Sequence, residues 1–386
     1  MDEPWAGEGV GASSPWAWSA YGPEGRLLAA LRGVLEVRSS RRIEPGRQRL
    51  GFFPRPTPGL EFRGRLLVPS EDAYDLVAER FRALGHVALF RKIDADDVVL
   101  AVPGELPSSR GRSALAVALF VATFASVLVT GALNEQQAGQ DFNPLSGWPF
   151  AVSLLGILVA HEMGHYLMAR HLGVPSSPPF FIPLPLSLFG TMGAVMQMKA
   201  PPRNRRALLA VAVAGPLAGL AVAVPVLVIG LLLSPVLPIP PGGAAIQEGN
   251  SLLYAGLKLL LFGRFLPSGG MDVLLHPVAW AGWAGLLVTG LNLMPAGQLD
   301  GGHVAYVLLG RRARHLTWLM VVALLALSVL WTGWLIWAGL VFIFGQAHAV
   351  PLDDITPPRA RERALAAFAL LVFALVFVPA PMHIGY

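Results

Sequence analysis

The segment His161-Glu162-Met163-Gly164-His165 lies inside a long apolar run, residues 148–172. A run of this length can cross a bilayer as a helix, for which about 20 apolar residues suffice. Because helical side chains at positions i and i+4 share a face, both histidines can bind one metal ion while the glutamate activates water. Ionisable groups are costly inside a membrane, so the segment predicts a metal site there, although two hydrogen-bonded histidines remain the alternative.

The composition indicates a polytopic membrane protein. Of 386 residues, 54% are hydrophobic and 14% charged, whereas about 25% charged residues are typical of soluble domains. Cysteine is absent, which excludes disulfides, thiolate ligands and a cysteine nucleophile, so nitrogen and oxygen must hold any metal. The net charge is +5, but the arginines cluster beside apolar segments, as the positive-inside rule produces. No nucleic-acid partner is therefore expected.

Three regions are predicted along the chain. Residues 1–24, rich in Gly, Ser, Pro and Trp, are expected to be disordered, with no cleavable signal peptide. Residues 25–112 are expected to form a soluble α+β domain, which we interpret as a regulatory or substrate-adaptor appendage because it lacks clustered acids and histidines. Residues 113–386 are expected to form the transmembrane domain, with its core at 148–311.

The soluble domain is predicted to have the order β-α-β-β. The predicted strands and helix follow the alternation of apolar residues and the turn residues between them. They are a strand at 60–68, a helix at 70–84, and strands at 86–92 and 97–102.

The fold class is predicted to be mainly α, a transmembrane helix bundle of about six or more spans. The apolar segments long enough to cross are 113–132, 148–172, 207–233, 277–294, 316–345 and 364–380. Residues 252–266 are short and carry charge, so we interpret them as an interfacial or re-entrant helix. The segment 316–345 is longer than one span needs, with Thr332-Gly333 as a candidate break.

The arginines predict the orientation. Arg110 and Arg112 precede the first span, while the loop at 134–147 has acids and no Lys or Arg. The positive-inside rule therefore puts the N-terminal domain in the cytoplasm. The chain is expected in the cell (plasma) membrane. The second span then runs inward, so the histidine pair lies within the membrane, nearer the cytoplasm.

A catalytic zinc site needs a third protein ligand, and Asp300 is the strongest candidate. It follows Pro295 and Gly297 in the segment 291–302, LNLMPAGQLDGG. These residues break the helix and let an acid turn toward the bundle interior. Capping of the next helix or pairing with Arg311 are alternatives for Asp300, and His303 is a rival ligand.

The two motifs together resemble the site-2 protease family of intramembrane zinc metalloproteases. That family pairs HExxH on one transmembrane helix with N-x-x-P-x-x-x-x-D-G on a later one. The matching residues are His161, Glu162, His165, Asn292, Pro295, Asp300 and Gly301. The similarity covers about residues 154–311 and resembles the subgroup of prokaryotic and plant chloroplast members, with no PDZ-like insertion evident.

The resemblance implies one catalytic Zn²⁺ bound by His161, His165 and Asp300, with Glu162 as general base and acid. Asn292 is a candidate catalytic donor to the carbonyl oxygen or a clamp on the substrate backbone, with helix packing as the alternative. A Pro-rich segment, 178–198, is predicted to add the substrate as a strand, unless it is a plain connecting loop. Its candidate substrate-binding residues are Gly190, Thr191, Met192 and Gly193.

The predicted function is hydrolysis of a peptide bond within or near a transmembrane segment of a membrane-tethered protein. The expected partners are a transmembrane protein substrate and the lipid bilayer, and a homo-oligomer is compatible with the sequence. One alternative is a membrane metal-ion transporter that uses the same ligands. Transporters favour repeated halves, and this sequence shows no internal repeat. A catalytically silent homologue that binds membrane partners is the other alternative.

Overall fold

The computed structural model describes residues 22–43, 59–107, 113–137, 142–238, 246–345 and 350–384. These residues form two compact units, one built from Met1–Leu106 with Leu352–Thr356, the other from Pro107–Pro351 with Pro357–Tyr386. The disorder predicted for residues 1–24 falls almost wholly outside the described residues, and a helix begins at Pro23.

The first unit is an antiparallel sheet with helices. Its elements are α1 (Pro23–Ala30), β1 (Leu35–Ile43), β2 (Gly59–Leu66), α2 (Ser70–Ala83), β3 (His86–Ile93) and β4 (Asp96–Pro103). The strand order is β1-β2-β4-β3, and α2 buries Tyr74, Val77 and Phe81. The predicted β-α-β-β order is present. Strand β1 went unpredicted because it is an edge strand whose polar residues, exposed at most positions, hide the alternation.

A distant segment completes this unit. The Phe90 amide donates to the Leu352 carbonyl at 2.9 Å, and the Asp354 amide donates to the Phe90 carbonyl at 3.1 Å. Asp353, 1% exposed, accepts a hydrogen bond from the Ser70 hydroxyl at 2.9 Å. The outer edge of β3 is therefore extended by residues that the sequence assigned to the transmembrane region 113–386.

The second unit is mainly helical. Its helices are α3 (Ser113–Gln137), α4 (Trp148–His171), α5 (Arg205–Leu232), α6 (Leu252–Phe262), α7 (Pro277–Asn292), α8 (Asp300–Leu309), α9 (Ala313–Leu327), α10 (Gly333–Phe344) and α11 (Ala360–Val376), with a 3-10 turn at Gly310–Arg312. Its strands are β5 (Phe180–Pro183), β6 (Thr191–Val195), β7 (Val236–Pro238), β8 (Ile246–Glu248), β9 (Met271–Val273) and β10 (Met382–Ile384). The strands pair antiparallel as β5–β6, β7–β9 and β8–β10.

Among the residues that the structure describes, three helices are long and apolar enough to cross a membrane. They are Ser113–Glu135, Trp148–His171 and Arg205–Leu232. The other predicted spans correspond to shorter helices: α7 has 16 residues and α11 has 17. The segment 316–345 is divided, since α9 ends at Leu327 and α10 begins at Gly333. Among the described helices, the structure thus supports three full-length spans, and the count of six or more is not confirmed.

Helices α4, α5 and α7 pack closely and form the core of the second unit. Leu154, Ala212 and Ala284 are among its buried side chains. At Gly164 of α4 an added Cβ would lie 2.5 Å from the Ala214 carbonyl oxygen of α5. The helices therefore approach backbone to backbone beside the histidine pair, which leaves no room for a side chain at this point.

Candidate metal centre

Helix α4 carries the predicted base and two predicted metal ligands. His161, Glu162 and His165 are 3%, 7% and 7% exposed. The helix begins with Pro149 in its first turn and ends with Arg170 in its last turn, both favourable positions for these residues. Its regular geometry places the two imidazoles on one face, as the i, i+4 spacing predicts.

A break between α7 and α8 brings the third predicted ligand to the same place. Helix α7 ends at Asn292 and α8 begins at Asp300. Between them Gly297 adopts a φ of 55°, a conformation that favours glycine. Asp300 is the first residue of α8, with Leu299 at the N-cap position. Its side chain contacts the histidines, so neither the capping role nor the pairing with Arg311 describes its position.

The three ligand atoms form a nearly equilateral triangle. The Nε2 atoms of His161 and His165 are 3.2 Å apart. The Asp300 Oδ2 atom lies 3.2 Å from His165 Nε2 and 3.6 Å from His161 Nε2. A tetrahedral zinc ion with bonds of about 2.0–2.1 Å separates its ligand atoms by about 3.3–3.4 Å. The donor set and the spacing therefore both fit Zn²⁺.

A backbone carbonyl orients one of the imidazoles. His165 Nδ1 lies 2.8 Å from the Val211 carbonyl oxygen of α5. Because a carbonyl only accepts, Nδ1 donates, and the Nε2 lone pair of a neutral His165 points toward the other two ligand atoms. The His165 ring also packs closely against Gly215 of α5, where an added Cβ would lie 2.1 Å from His165 Nε2.

The predicted ligands line a cavity of about 220 Å³. Glu162 and Asn292 lie on its wall together with the ligands, so the predicted base and donor share one space. The Asn292 Nδ2 atom is 3.2 Å from His161 Nε2. The remaining lining residues are Ala194, Val195, Met196, Met198, Leu208, Val211, Ala212, Gln298, Leu299 and His303. The rival ligand His303 is thus a wall residue, outside the group of ligand atoms that lie within 4.8 Å of one another.

The four predicted substrate-binding residues lie in the β5–β6 hairpin, just before the part that reaches the cavity. The Gly190 carbonyl accepts a hydrogen bond from Ser126 of α3 at 2.6 Å. Thr191 Oγ1 donates to the Ile182 carbonyl at 2.9 Å, which closes the hairpin. Met192 is 72% exposed and Gly193 has a φ of 95°. In the described part of the chain, the hairpin side of the cavity lining begins at Ala194.

Several wall residues were missed by the sequence interpretation. Val211 contributes its backbone carbonyl. Because every residue has one, the sequence does not mark this position. Gln298 lies within the N-x-x-P-x-x-x-x-D-G motif, at one of the positions that the motif leaves unspecified. The strand residues after Gly193 lie in the segment 178–198 that was predicted to receive the substrate, but they were not among the four residues singled out.

Comparisons with known proteins agree with this geometry. The model of Peptidase family M50 matches residues 149–330, a range that contains α4, the hairpin, α5, α7 and Asp300. This part of the chain is therefore similar to Peptidase family M50, the site-2 protease family, which confirms the resemblance seen in the two motifs.

The relatives include plant proteins. The chain is 38% identical over 239 residues to the probable zinc metalloprotease EGY2, chloroplastic, of Arabidopsis thaliana, covering 61% of this chain and 42% of that protein. It is 34% identical over 238 residues to the probable zinc metalloprotease EGY1, chloroplastic, of the same plant, covering 60% and 42%. The chain thus spans less than half the length of these relatives. No solved structure matches.

Proposed function

We propose that this protein is an intramembrane zinc metalloprotease, which hydrolyses a peptide bond within or near a transmembrane segment of a membrane-tethered protein. The observation that carries the proposal is the triangle of His161, His165 and Asp300 ligand atoms, with sides of 3.2 to 3.6 Å, beside Glu162. Its position on an apolar helix long enough to span a bilayer and the match to a peptidase family support the same conclusion.

His161, His165 and Asp300 would hold the zinc ion, a donor set of the kind found in catalytic zinc sites. A Zn²⁺ ion bound there supplies a Lewis acid, which makes a water molecule acidic enough to lose a proton near neutral pH. Val211 fixes the His165 ring through its carbonyl, and hydrogen bonds of this kind typically orient and strengthen a metal ligand.

Glu162 and Asn292 would carry the protein's own part of the reaction. Glu162 lies on the cavity wall beside the ligands, where its carboxylate takes a proton from the attacking water and returns it to the leaving amine nitrogen. The Asn292 amide, 3.2 Å from His161 Nε2, is placed to donate to the oxygen of the scissile carbonyl as negative charge develops on it. No covalent acyl-enzyme is required.

The hairpin would present the substrate as an extended strand. A helical peptide bond is shielded by its neighbours, so the substrate must unwind before cleavage. Strand β6 pairs with β5 through one edge, and the cavity is lined by the end of β6 and the residues after it, Ala194, Val195, Met196 and Met198. Addition of the substrate to this strand satisfies the substrate backbone inside the membrane. Gly190 to Gly193 shape the hairpin, and the residues after them contact the substrate.

The membrane topology proposed from the sequence, with the N-terminal domain in the cytoplasm, is consistent with one strand pairing. Strand β10 pairs with β8, so the C-terminal end lies on the opposite side after α3, α4 and α5 have crossed. The proposed count of six or more is met when α9 and α10 both cross, which gives seven.

The protein acts, on this proposal, in the cell membrane on a transmembrane protein substrate, and it works as a monomer or a homo-oligomer. The relatives are chloroplastic by name. A metal transporter would use the same ligands as a transit site but would need no base. Glu162 beside the ligands and the peptidase family match therefore favour a protease over both the transporter and a silent homologue.

Cleavage of a model transmembrane substrate in detergent tests the proposal. Wild type should bind about one zinc ion per chain and cut, whereas Glu162→Gln should keep the zinc and cut about 10²- to 10⁴-fold more slowly. Equal cleavage by both proteins would refute the protease. Zinc transport into liposomes that survives Glu162→Gln would support the transporter instead.

A further inference from the structure

The β5–β6 hairpin needs partners to hold it in place, because an isolated two-stranded hairpin is at best marginally stable. Its own bonds define its shape: Thr191 Oγ1 donates to the Ile182 carbonyl at 2.9 Å and accepts from the Gly193 amide at 3.0 Å. These contacts are internal. The position of the hairpin relative to the metal ligands must come from the surrounding helices.

Helix α3 supplies a directional contact at the turn. The Ser126 hydroxyl donates to the Gly190 carbonyl at 2.6 Å, and Ser126 is 8% exposed. Gly190 has a φ of 72°, and a Cβ added to it would lie 2.7 Å from both Thr130 Oγ1 and Val127 Cα. The hairpin therefore lies directly against the backbone of the first span, held by one short hydrogen bond.

Aromatic contacts hold the hairpin on both sides of that bond. The rings of Phe120 on α3 and Phe181 on β5 meet edge to face, with centroids 5.2 Å apart. Phe189 lies 6.0 Å from Trp280 and 6.4 Å from Trp283 on α7. Such contacts tolerate sliding of one ring on another, whereas a hydrogen bond from a buried hydroxyl selects one carbonyl. The Ser126 bond is thus the most directional of these contacts between the hairpin turn and the helices.

We propose that Ser126 is a positioning residue for the substrate, a role that rests on the proposed protease function. Ala194 follows Gly190 by four residues, about 13 Å along a strand, and begins the hairpin side of the cavity lining. A small displacement at the Ser126 bond shifts the strand that receives the substrate. Misplacement of a reacting bond by about 1 Å can slow a reaction about 10²-fold.

The test compares Ser126→Ala with Thr123→Val in the full-length protein. Thr123 is a matched control because it is also buried on α3 and its hydroxyl donates to Leu119 of its own helix at 2.8 Å. Each variant is assayed for bound zinc, for KM and kcat with a model transmembrane substrate, and for the cleaved bond by mass spectrometry. Gly190→Ala, which forces a Cβ against α3, serves as a second variant.

Ser126→Ala should keep its zinc, raise KM about five- to tenfold, as loss of one buried hydrogen bond implies, and spread cleavage to neighbouring peptide bonds. Gly190→Ala should share this altered cleavage pattern, and Thr123→Val should match wild type. If both Ser126→Ala and Gly190→Ala cut the same bond as wild type with the same KM, the positioning role is wrong while the protease stands. A wild type that binds no zinc and does not cut would instead refute the proposed function.

Discussion

In the part of the helical unit that the structure describes, two clusters of ionisable side chains lie buried, and they differ in how their charges are balanced. In the metal centre, His165 Nε2 and Asp300 Oδ2 lie 3.2 Å apart. The Nδ1 proton of His165 is already donated to Val211, so a neutral His165 faces the carboxylate with a lone pair. Two acceptors that face each other at this distance call for a cation between them, and the cavity gives that cation access.

The second cluster joins β8 to α6 and has complementary groups. The Tyr254 hydroxyl donates to Glu248 Oε1 at 2.9 Å, and Lys258 Nζ lies 3.6 Å from the same oxygen and 4.3 Å from the centre of the Tyr254 ring. Lys258 is 0% exposed. Burial raises the pKa of the Glu248 carboxyl and lowers the pKa of the Lys258 amine, because desolvation outweighs their attraction.

The difference separates a binding site from a structural ion pair. The charges of Glu248 and Lys258 cancel each other, although Lys258 Nζ lies beyond hydrogen-bond distance of the carboxylate. In the metal centre, neutral histidines leave the Asp300 charge unbalanced, and the three predicted ligand atoms face one point beside a cavity. Buried charge in a membrane protein therefore indicates a ligand where the charges of the cluster do not cancel.

The largest effect should follow loss of a ligand. Asp300→Asn removes the anionic ligand atom, and it should lower zinc affinity about 10²- to 10³-fold, since roughly 10–16 kcal/mol of zinc-binding energy is shared among about four ligands. Competition with a chromogenic chelator measures this affinity. Glu162→Gln is the control, because Glu162 is not among the three ligands and its substitution should leave zinc binding in place. Unchanged affinity in Asp300→Asn would exclude Asp300 as a ligand.

The second largest effect should be a loss of stability with zinc binding unchanged. Glu248→Gln leaves the Lys258 ammonium buried without a counter-charge, which should lower the free energy of unfolding by about 3–5 kcal/mol. The double variant Glu248→Leu with Lys258→Met should recover part of this loss because it removes both charges, although it leaves the Tyr254 hydroxyl without its acceptor. Denaturant unfolding in detergent gives the free energies, and zinc content should stay at the wild-type level. Loss of zinc in these variants would show that the two clusters are not independent.

The sequence predicted the ligands of the first cluster and nothing of the second. His161 and His165 are related by helix periodicity, and Asp300 stands in a motif with its own helix-breaking residues, so local rules were sufficient. Glu248 and Lys258 come together because the chain reverses direction between β8 and α6. No sequence motif marks that reversal. Ser126 and Gly190 meet across 64 positions, and Val211 acts through its backbone. Contacts of this kind depend on tertiary packing, which no local pattern encodes.

The third prediction concerns the glycine beneath His165. A Cβ at Gly215 would lie 2.1 Å from His165 Nε2, so Gly215→Ala should tilt the imidazole and weaken zinc binding about 10- to 100-fold, as disturbed orientation of a metal ligand does. At Gly219 the added Cβ would lie 3.1 Å from His161 Cβ, so Gly219→Ala should have a smaller effect. Chelator competition ranks the two variants, and the reverse order would contradict the packing described for α5.

The smallest effect should come from a glycine on the other side of the metal helix. Gly156 lies on α4, like the histidines, but a Cβ added there meets nothing within 4 Å. Gly156→Ala should therefore leave zinc affinity and cleavage unchanged and raise the free energy of unfolding by about 0.5–1 kcal/mol, because alanine loses less backbone entropy in a helix. A fall in the zinc affinity of Gly156→Ala would mean that substitutions elsewhere on α4 also disturb the metal centre. If zinc affinity is unchanged in Gly156→Ala and weaker in Gly215→Ala, the contact between α4 and α5 determines the geometry of the ligands.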